Sequence, residues 1–272
     1  MCNGDNVHRV IEDILEATRL RVMALDAVTT DREQEELTKG GRDVLSVIER
    51  TKKEGMVPVI AEVKPASPGK ELRDITPADA ADIARQMERG GAVALSVLTE
   101  PEFFHGSIEN LNSVRNSVSL PVLRKDFIID ELQMGQAKSD LILLIAGVLG
   151  DELDSFVELA LSKGFEPLVE VHDRSELEIA LRTGATLIGI NNRDLGTLEI
   201  DLGTTEELAP IVRDFDRSNG THHIIVSESG VHTVEDVRRV MSAGADAILI
   251  GTAIIKAPDV FSKTKELVRA LL

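Results

Sequence analysis

The sequence predicts an α/β fold, a single (β/α)8 barrel of the TIM type with an N-terminal helical extension. Three observations predict it. Eight short runs rich in Val, Ile and Leu alternate with amphipathic stretches. They recur about every 20–35 residues, the length of one strand plus one helix. The runs are almost continuously apolar, as parallel strands covered on both faces must be. A doubly wound open sheet is the competing architecture. It normally carries a G-x-G-x-x-G turn after its first strand, and none follows VIAEVK.

The chain begins with helix. Val7, Ile11, Ile14 and Leu15 recur at helical spacing, and a second helix is expected from about Asp31 to Glu54. Residues 1–54 therefore read as a helical extension packed on the barrel and residues 55–272 as the barrel, together one structural domain. The first helix has an apolar face that needs cover, and it is expected to cap the top of the barrel. The eight strand runs follow in order: VPVIAEVK near 58–65, AVALSVLT at 92–99, PVLRKD at 121–126 and LILLIA at 141–146, then EPLVEV at 166–171, TLIGIN at 186–191, HIIVSES at 223–229 and DAILIGT at 246–252. Helix signals lie between them. Thr76 before Pro77 is an N-cap and first-turn pair, and that helix stops at Gly90-Gly91. Thr233 is followed three residues later by Asp236, and that unit ends at Gly244. SELEIALRTGAT ends the same way at Gly184.

At 272 residues the chain has the length of one such barrel. Aromatic residues are only 3%, with no Trp or Tyr, so the core must be Val, Ile, Leu and Ala. The net charge is -17, with 47 Asp and Glu against 30 Lys and Arg. Such a surface repels phosphate backbones and anionic lipid, which argues against nucleic acid and membrane partners. With few lysines it also suggests a salt-adapted source. The single cysteine, Cys2, excludes a disulfide framework and a thiolate metal cluster. The N-terminus lacks the apolar core of a signal peptide, and no apolar run spans a membrane, so the expected compartment is the cytoplasm. The oligomeric state is left open, with a monomer as the default.

In a barrel of this kind the C-terminal ends of the strands form one rim, and the active site sits there. The polar residues ending the strands are Glu62 and Lys64 with Ser67 just beyond, Lys125, Glu170, Asn191 and Arg193, Ser229 and Gly230, and Gly251 and Thr252. Period two places Glu62 with Lys64, and Asn191 with Arg193, on one face of their strands. The opposite ends of the strands show no comparable set. One such residue could be a core ion pair, but this density of charge is costly unless paired or functional. The turns Ser229-Gly230 and Gly251-Thr252 follow the seventh and eighth strands, where barrels of this kind bind phosphate on backbone amides. A metal is not expected. The histidines, His8, His105, His172, His222, His223 and His232, are scattered, and His222-His223 precede the seventh strand at the end away from the rim.

The segments IAEVKPASP, ALSVLTEPEFFHGSIENL, PVLRKDFIID, EPLVEVHD, IGINNRDLGTLEIDL, SESGV and ILIGTAI together carry a family likeness. From about Val7 to the C-terminus the chain resembles the indole-3-glycerol phosphate synthases of tryptophan biosynthesis, and its acidity suggests a salt-adapted archaeal member. The resemblance implies a carboxy-lyase. It would close the ring of 1-(2-carboxyphenylamino)-1-deoxyribulose 5-phosphate with loss of carbon dioxide and water, using no cofactor and no metal. Lys125 falls on the general acid and Glu170 on a general base and charge stabiliser. Lys64, Glu62, Asn191 and Ser229 fall on catalytic or substrate-orienting positions. Arg193 supports that array, and Ser67, Gly230, Gly251 and Thr252 fall near the phosphate or carboxylate of this small anionic substrate. Two features depart from the pattern. Pro65-Ala66 stand where a basic pair is usual, and MGQAKSDLILLI is short, which implies a truncated helix and a tight turn at Ser139-Asp140. The alternatives are a Schiff-base aldolase with Lys125 as nucleophile and a phosphate-binding barrel without turnover.

Overall fold

A computed structural model describes residues 4–25 and 42–272, with side chains from Val10 onward. Eight parallel strands close into a barrel in chain order, the first pairing with both the second and the eighth. They are Val59–Val63, Ala94–Leu98, Val122–Lys125, Leu141–Ile145, Glu166–Val171, Leu187–Asn191, Ile224–Glu228 and Ala247–Ile250. Every strand run anticipated from the sequence is present.

Period two sorts the strand residues into two populations. Val59, Ala61, Val63, Leu95 and Val97 face outward onto the helices in one cluster, and Ile142, Leu144, Val169, Ile188 and Ile225 do so in another. Ile60, Ala94, Leu123, Leu141, Leu168, Val226 and Leu249 face inward and fill the barrel interior. Glu62, Lys125, Glu170 and Glu228 continue the inward series on the first, third, fifth and seventh strands, two residues beyond Ile60, Leu123, Leu168 and Val226. Alternate strands fill each interior layer of such a barrel, so these four form its uppermost layer.

Two helices close the interior. Gly4–Met23 lies over the rim, where Ile14 is fully buried and Ile11 and Leu15 pack beside Phe103, Phe104 and Phe127. Val7 belongs to the same predicted stripe, but its side chain is outside the described residues. Val44–Lys53 closes the opposite end through Val44 and Ile48. Of the second helix expected from Asp31, residues 31–41 lie outside the described residues. The described part starts later than Arg42, because Asp43 is extended and caps the helix by accepting from the Ser46 amide. The capping boxes Thr76–Asp79 and Thr233–Asp236 both form.

The short segment before the fourth strand holds only a 3-10 turn, Glu131–Gly135, capped by Asp130 and Gln133. The expected turn at Ser139-Asp140 does not form. Asp140 sits at a bend and is buried instead, its amide donating to the Val122 carbonyl and its carboxylate accepting from the amides of Arg42 and Val122 and from Arg115. Opposite the rim, the absence of charge expected from the sequence is also corrected. Asp140, Glu166, His223 and Asp246 stand at the N-terminal ends of strands, and the partners of Asp140, His223 and Asp246 come largely from helices.

Candidate active site

Strand three explains how three charged residues share one strand end. Lys125 points inward and Arg124 outward, by the same alternation that buries Leu123 and Val122 on opposite faces. The Arg124 guanidinium is buried, yet fully engaged. It donates to Thr99, to Asp126 at 3.1 Å and to Gln136 at 2.8 Å, clamping the 3-10 turn beneath the rim. Asp126 in turn accepts from the Thr99 hydroxyl and from the Phe127 amide, which fixes Phe127 at the mouth.

Lys125 Nζ lies 2.6 Å from Glu228 Oε2 and 3.3 Å from Glu170 Oε2. Burial works against its charge, but Glu228, Glu170 and Glu62 outweigh that and raise its pKa well above the usual lysine range. Burial also opposes ionisation of Glu170. There Lys125, His172 and Asn191 prevail and hold it below the usual carboxylate range. Glu228 goes the other way: burial, with Glu170 and Glu62 nearby, pushes it up against the pull of Lys125. Of these two coupled carboxylates, Glu228 takes a proton more readily.

Glycines make room for this layer. A Cβ on Gly189 would fall 2.2 Å from Glu228 Oε1, and one on Gly251 would fall 2.3 Å from Glu62 Oε2. Both contacts are far inside van der Waals distance, so alanine at either position would displace a rim carboxylate. Glu62 also pairs with Lys64 at 3.1 Å, while Glu62 Oε1 and Glu228 Oε1 are buried without a hydrogen-bond partner. Asn191 donates to Glu170 Oε1 at 3.0 Å and accepts from the Arg193 amide. Arg193 donates to the Leu198 carbonyl, and burial lowers its pKa against the attraction of Glu62.

The seventh-strand turn is strained. Ser229 has φ 64°, and the next residue, Gly230, has φ 80°. Asn192 holds the turn by donating to the carbonyls of Glu228 and Ser229 while accepting from Thr205. A side chain on Gly230 would strike Ile200, whose loop closes over it.

One cavity of about 1140 Å3, including its open mouth, gathers every residue singled out from the sequence: Glu62, Lys64, Ser67, Lys125, Glu170, Asn191, Arg193, Ser229, Gly230, Gly251 and Thr252. Ser67 reaches it from a hairpin, Ala66–Ser67 with Lys70–Glu71, that sequence reading did not anticipate. The opposite wall is apolar, made by Ile11, Phe104, Phe127, Leu143 and Ile145. Arg21 ties the covering helix to that wall, 3.7 Å from Glu100 and 3.6 Å from Asp126. Sequence reading missed Glu228, although the alternation Ile224, Val226, Glu228 repeats that of Leu168 and Glu170. It also passed over His172, weighed only as a metal ligand.

A closed barrel whose rim cavity joins a half-buried lysine, three glutamates and an apolar wall places the chain among the barrel enzymes. The comparisons give the family. The family model for indole-3-glycerol phosphate synthase matches residues 11–267, and the chain belongs to that family. The indole-3-glycerol phosphate synthase of Haloarcula marismortui is 40% identical, covering 99% of this chain and 96% of that protein. That of Methanopyrus kandleri is 42% identical, covering 96% and 98%. Among solved structures, a thiamine phosphate pyrophosphorylase from Pyrococcus furiosus superposes with a TM-score of 0.55 at 16% identity, over 78% of this chain and 93% of that one. The N-acetylmannosamine-6-phosphate 2-epimerase from Clostridium perfringens gives 0.52 at 14%, over 72% and 86%. Both share the barrel. No helix among the described residues is long and apolar enough to cross a membrane.

Proposed function

We propose that the rim layer performs the family's reaction, closing the indole ring of the carboxyphenylamino deoxyribulose phosphate as a cytoplasmic carboxy-lyase. The observation that carries this reading is the half-buried Lys125 ammonium in the cavity wall, held charged by its ion pairs with Glu228 and Glu170 and by nearby Glu62. As the ring closes, the ketose carbonyl oxygen gains negative charge. A fixed ammonium in a dry pocket stabilises that charge and donates the proton. Glu170, held ionised beside it, balances the positive charge that ring closure puts on the ring nitrogen and its carbon, and loss of carbon dioxide returns an electron pair to the ring and discharges it. Glu228, the more readily protonated neighbour, is the acceptor for the proton removed when the ring becomes aromatic, while the hydroxyl formed at ring closure departs as water on a second proton from a rim lysine. Lys64 and Arg193 face the substrate's anionic groups, and the amides of Gly230, Gly251 and Thr252 suit its phosphate. The aryl ring fits the wall of Phe104 and Phe127.

The aldolase alternative needs Lys125 as a neutral amine, which a depressed pKa would supply. Its raised pKa keeps the amine protonated, which speaks against that role. The test is indole-type fluorescence appearing from the carboxyphenylamino substrate, with borohydride present in a parallel reaction. Product without a covalent adduct supports the synthase. Borohydride trapping of substrate on Lys125 would overturn it in favour of the aldolase.

A further inference from the structure

His172 follows Glu170 by two residues and continues the inward series one step past the barrel layer. Its side chain is only 7% exposed. The imidazole lies between two carboxylates. On one side, Glu176 Oε2 sits 3.0 Å from Nδ1 and also accepts the His172 backbone amide at 2.8 Å. On the other, Nε2 stands 3.3 Å from Glu170 Oε1, too bent for a hydrogen bond, so that contact acts through charge. Glu176 is itself built into place. It lies in the first turn of the helix Arg174–Ala180, and Gly147 leaves the space for it, since a Cβ there would fall 2.2 Å from Glu176 Oε1. The fold thus uses the same device behind His172 that it uses for Glu62 and Glu228, a glycine on a neighbouring element clearing room for one carboxylate.

We propose that His172, locked by Glu176, is a positioning residue that holds Glu170 ionised and aimed at Lys125. This rests on the role of Glu170 proposed above. Nδ1 is committed to Glu176 and, among the described residues, Nε2 faces Glu170, so the doubly protonated ring places its charge between both carboxylates. The groups surrounding it all favour that cation: Glu170 on its own strand, Asp173 and Glu176 at the helix start, and Asp194 from the loop after strand six. Lys125 meets the other oxygen of Glu170, Oε2, while His172 faces Oε1. Burial works against the His172 charge, but Glu170 and Glu176 outweigh it and push the imidazole up to about 10. It therefore stays charged through the neutral range. Three contacts then fix the Glu170 carboxylate: Asn191 and His172 at Oε1, and Lys125 at Oε2. Without His172, Oε1 keeps only the neutral Asn191, and Glu170 becomes easier to protonate.

The test compares His172→Gln, Glu176→Gln and Glu170→Gln with the unsubstituted enzyme, measuring kcat and KM from pH 5 to 9 and Tm at each pH. For His172→Gln the expected result is kcat down about tenfold at pH 7 with KM within about threefold, because Glu170 acts in the transition state. Glu170 titrates below this pH window, so the reading that separates positioning from a merely structural role is the split between kcat and KM. Glu176→Gln, which keeps His172, should show the same changes at smaller size, and it carries the test alone if His172→Gln does not fold. Unchanged kcat in the folded variants would overturn the proposal, as would a rise confined to KM. An inactive Glu170→Gln beside a wild-type His172→Gln overturns this inference alone. An active Glu170→Gln overturns the role assigned to Glu170 and the inference with it.

Discussion

The two ends of this barrel carry similar charges and treat them differently. At the closed end, Asp246 accepts from Lys52 at 2.6 Å, from Arg213 and from the Ile225 amide at 2.8 Å. Asp140 accepts from Arg115 and from the amides of Arg42 and Val122. Asp216 pairs with the His223 ring and accepts the His223 amide. Each carboxylate there has several donors, which is how buried charge is kept without net loss. At the rim the balance is reversed. One ammonium serves Glu170 and Glu228 and feels Glu62, and two carboxylate oxygens have no donor. Charge satisfied by its own fold contributes to stability. Charge left short of partners is available to a substrate and is held there at the expense of stability.

That contrast can be broken from either side. Within this contrast the largest effect is expected for Glu228→Gln, which removes the closest partner of Lys125 and the proposed proton acceptor. Turnover should fall by about a hundredfold or more with Tm unchanged or slightly raised, because a strained buried carboxylate has been neutralised. Steady-state kinetics with a melting curve checks this, and a large Tm loss would place Glu228 with the structural charges instead. Asp246→Asn at the closed end should do the opposite. Lys52 and Arg213 lose their shared anion, which should cost about 2 kcal/mol, or roughly 4–8 °C of Tm, with kcat within about twofold of normal. Thermal melts followed by assays below the transition would show it.

Glu166 gives the smallest and most discriminating case, since it is the closed-end exception. Its Oε1 is buried without a partner, and burial with Asp43 nearby pushes the group up to about 7. A carboxyl with a raised folded pKa is stabilising when protonated. Its contribution is therefore most favourable below the unfolded value near 4.3 and is lost as pH rises toward 7. Glu166→Gln should then raise Tm by roughly 1–3 °C at pH 8 and by almost nothing at pH 5. Melting curves at the two pH values decide it, and equal shifts at both would remove the unpaired carboxyl as the cause.

Much of this was legible from the chain alone, for specific reasons. Strands buried on both faces write themselves as apolar runs, so all eight were found. A charged residue ending such a run is conspicuous, so Glu62, Lys125 and Glu170 were found. Glu228 escaped because Ser229-Gly230 drew attention to the turn, although the inward alternation continues to Glu228. The closed-end charges escaped because their donors, Lys52, Arg42, Arg115 and Arg213, come from distant helices and segments, and only the folded chain brings them near. The late start of the second described helix follows from the Asp43 cap, a local signal that helical periodicity overran. His172 was conspicuous as a histidine, but its meaning depends on Gly147, which sequence distance hides.

The central claim is that Lys125 acts as the acid of ring closure and is not merely a clamp for the anionic substrate. Lys125→Met tests it most directly when turnover and the binding of a non-reacting substrate analogue are measured on the same folded sample. An interaction made mainly in the transition state shows in the rate rather than in binding, so turnover should fall by about a thousandfold or more while analogue affinity stays within about tenfold. Equal losses in turnover and affinity would contradict the account and make Lys125 a binding residue only.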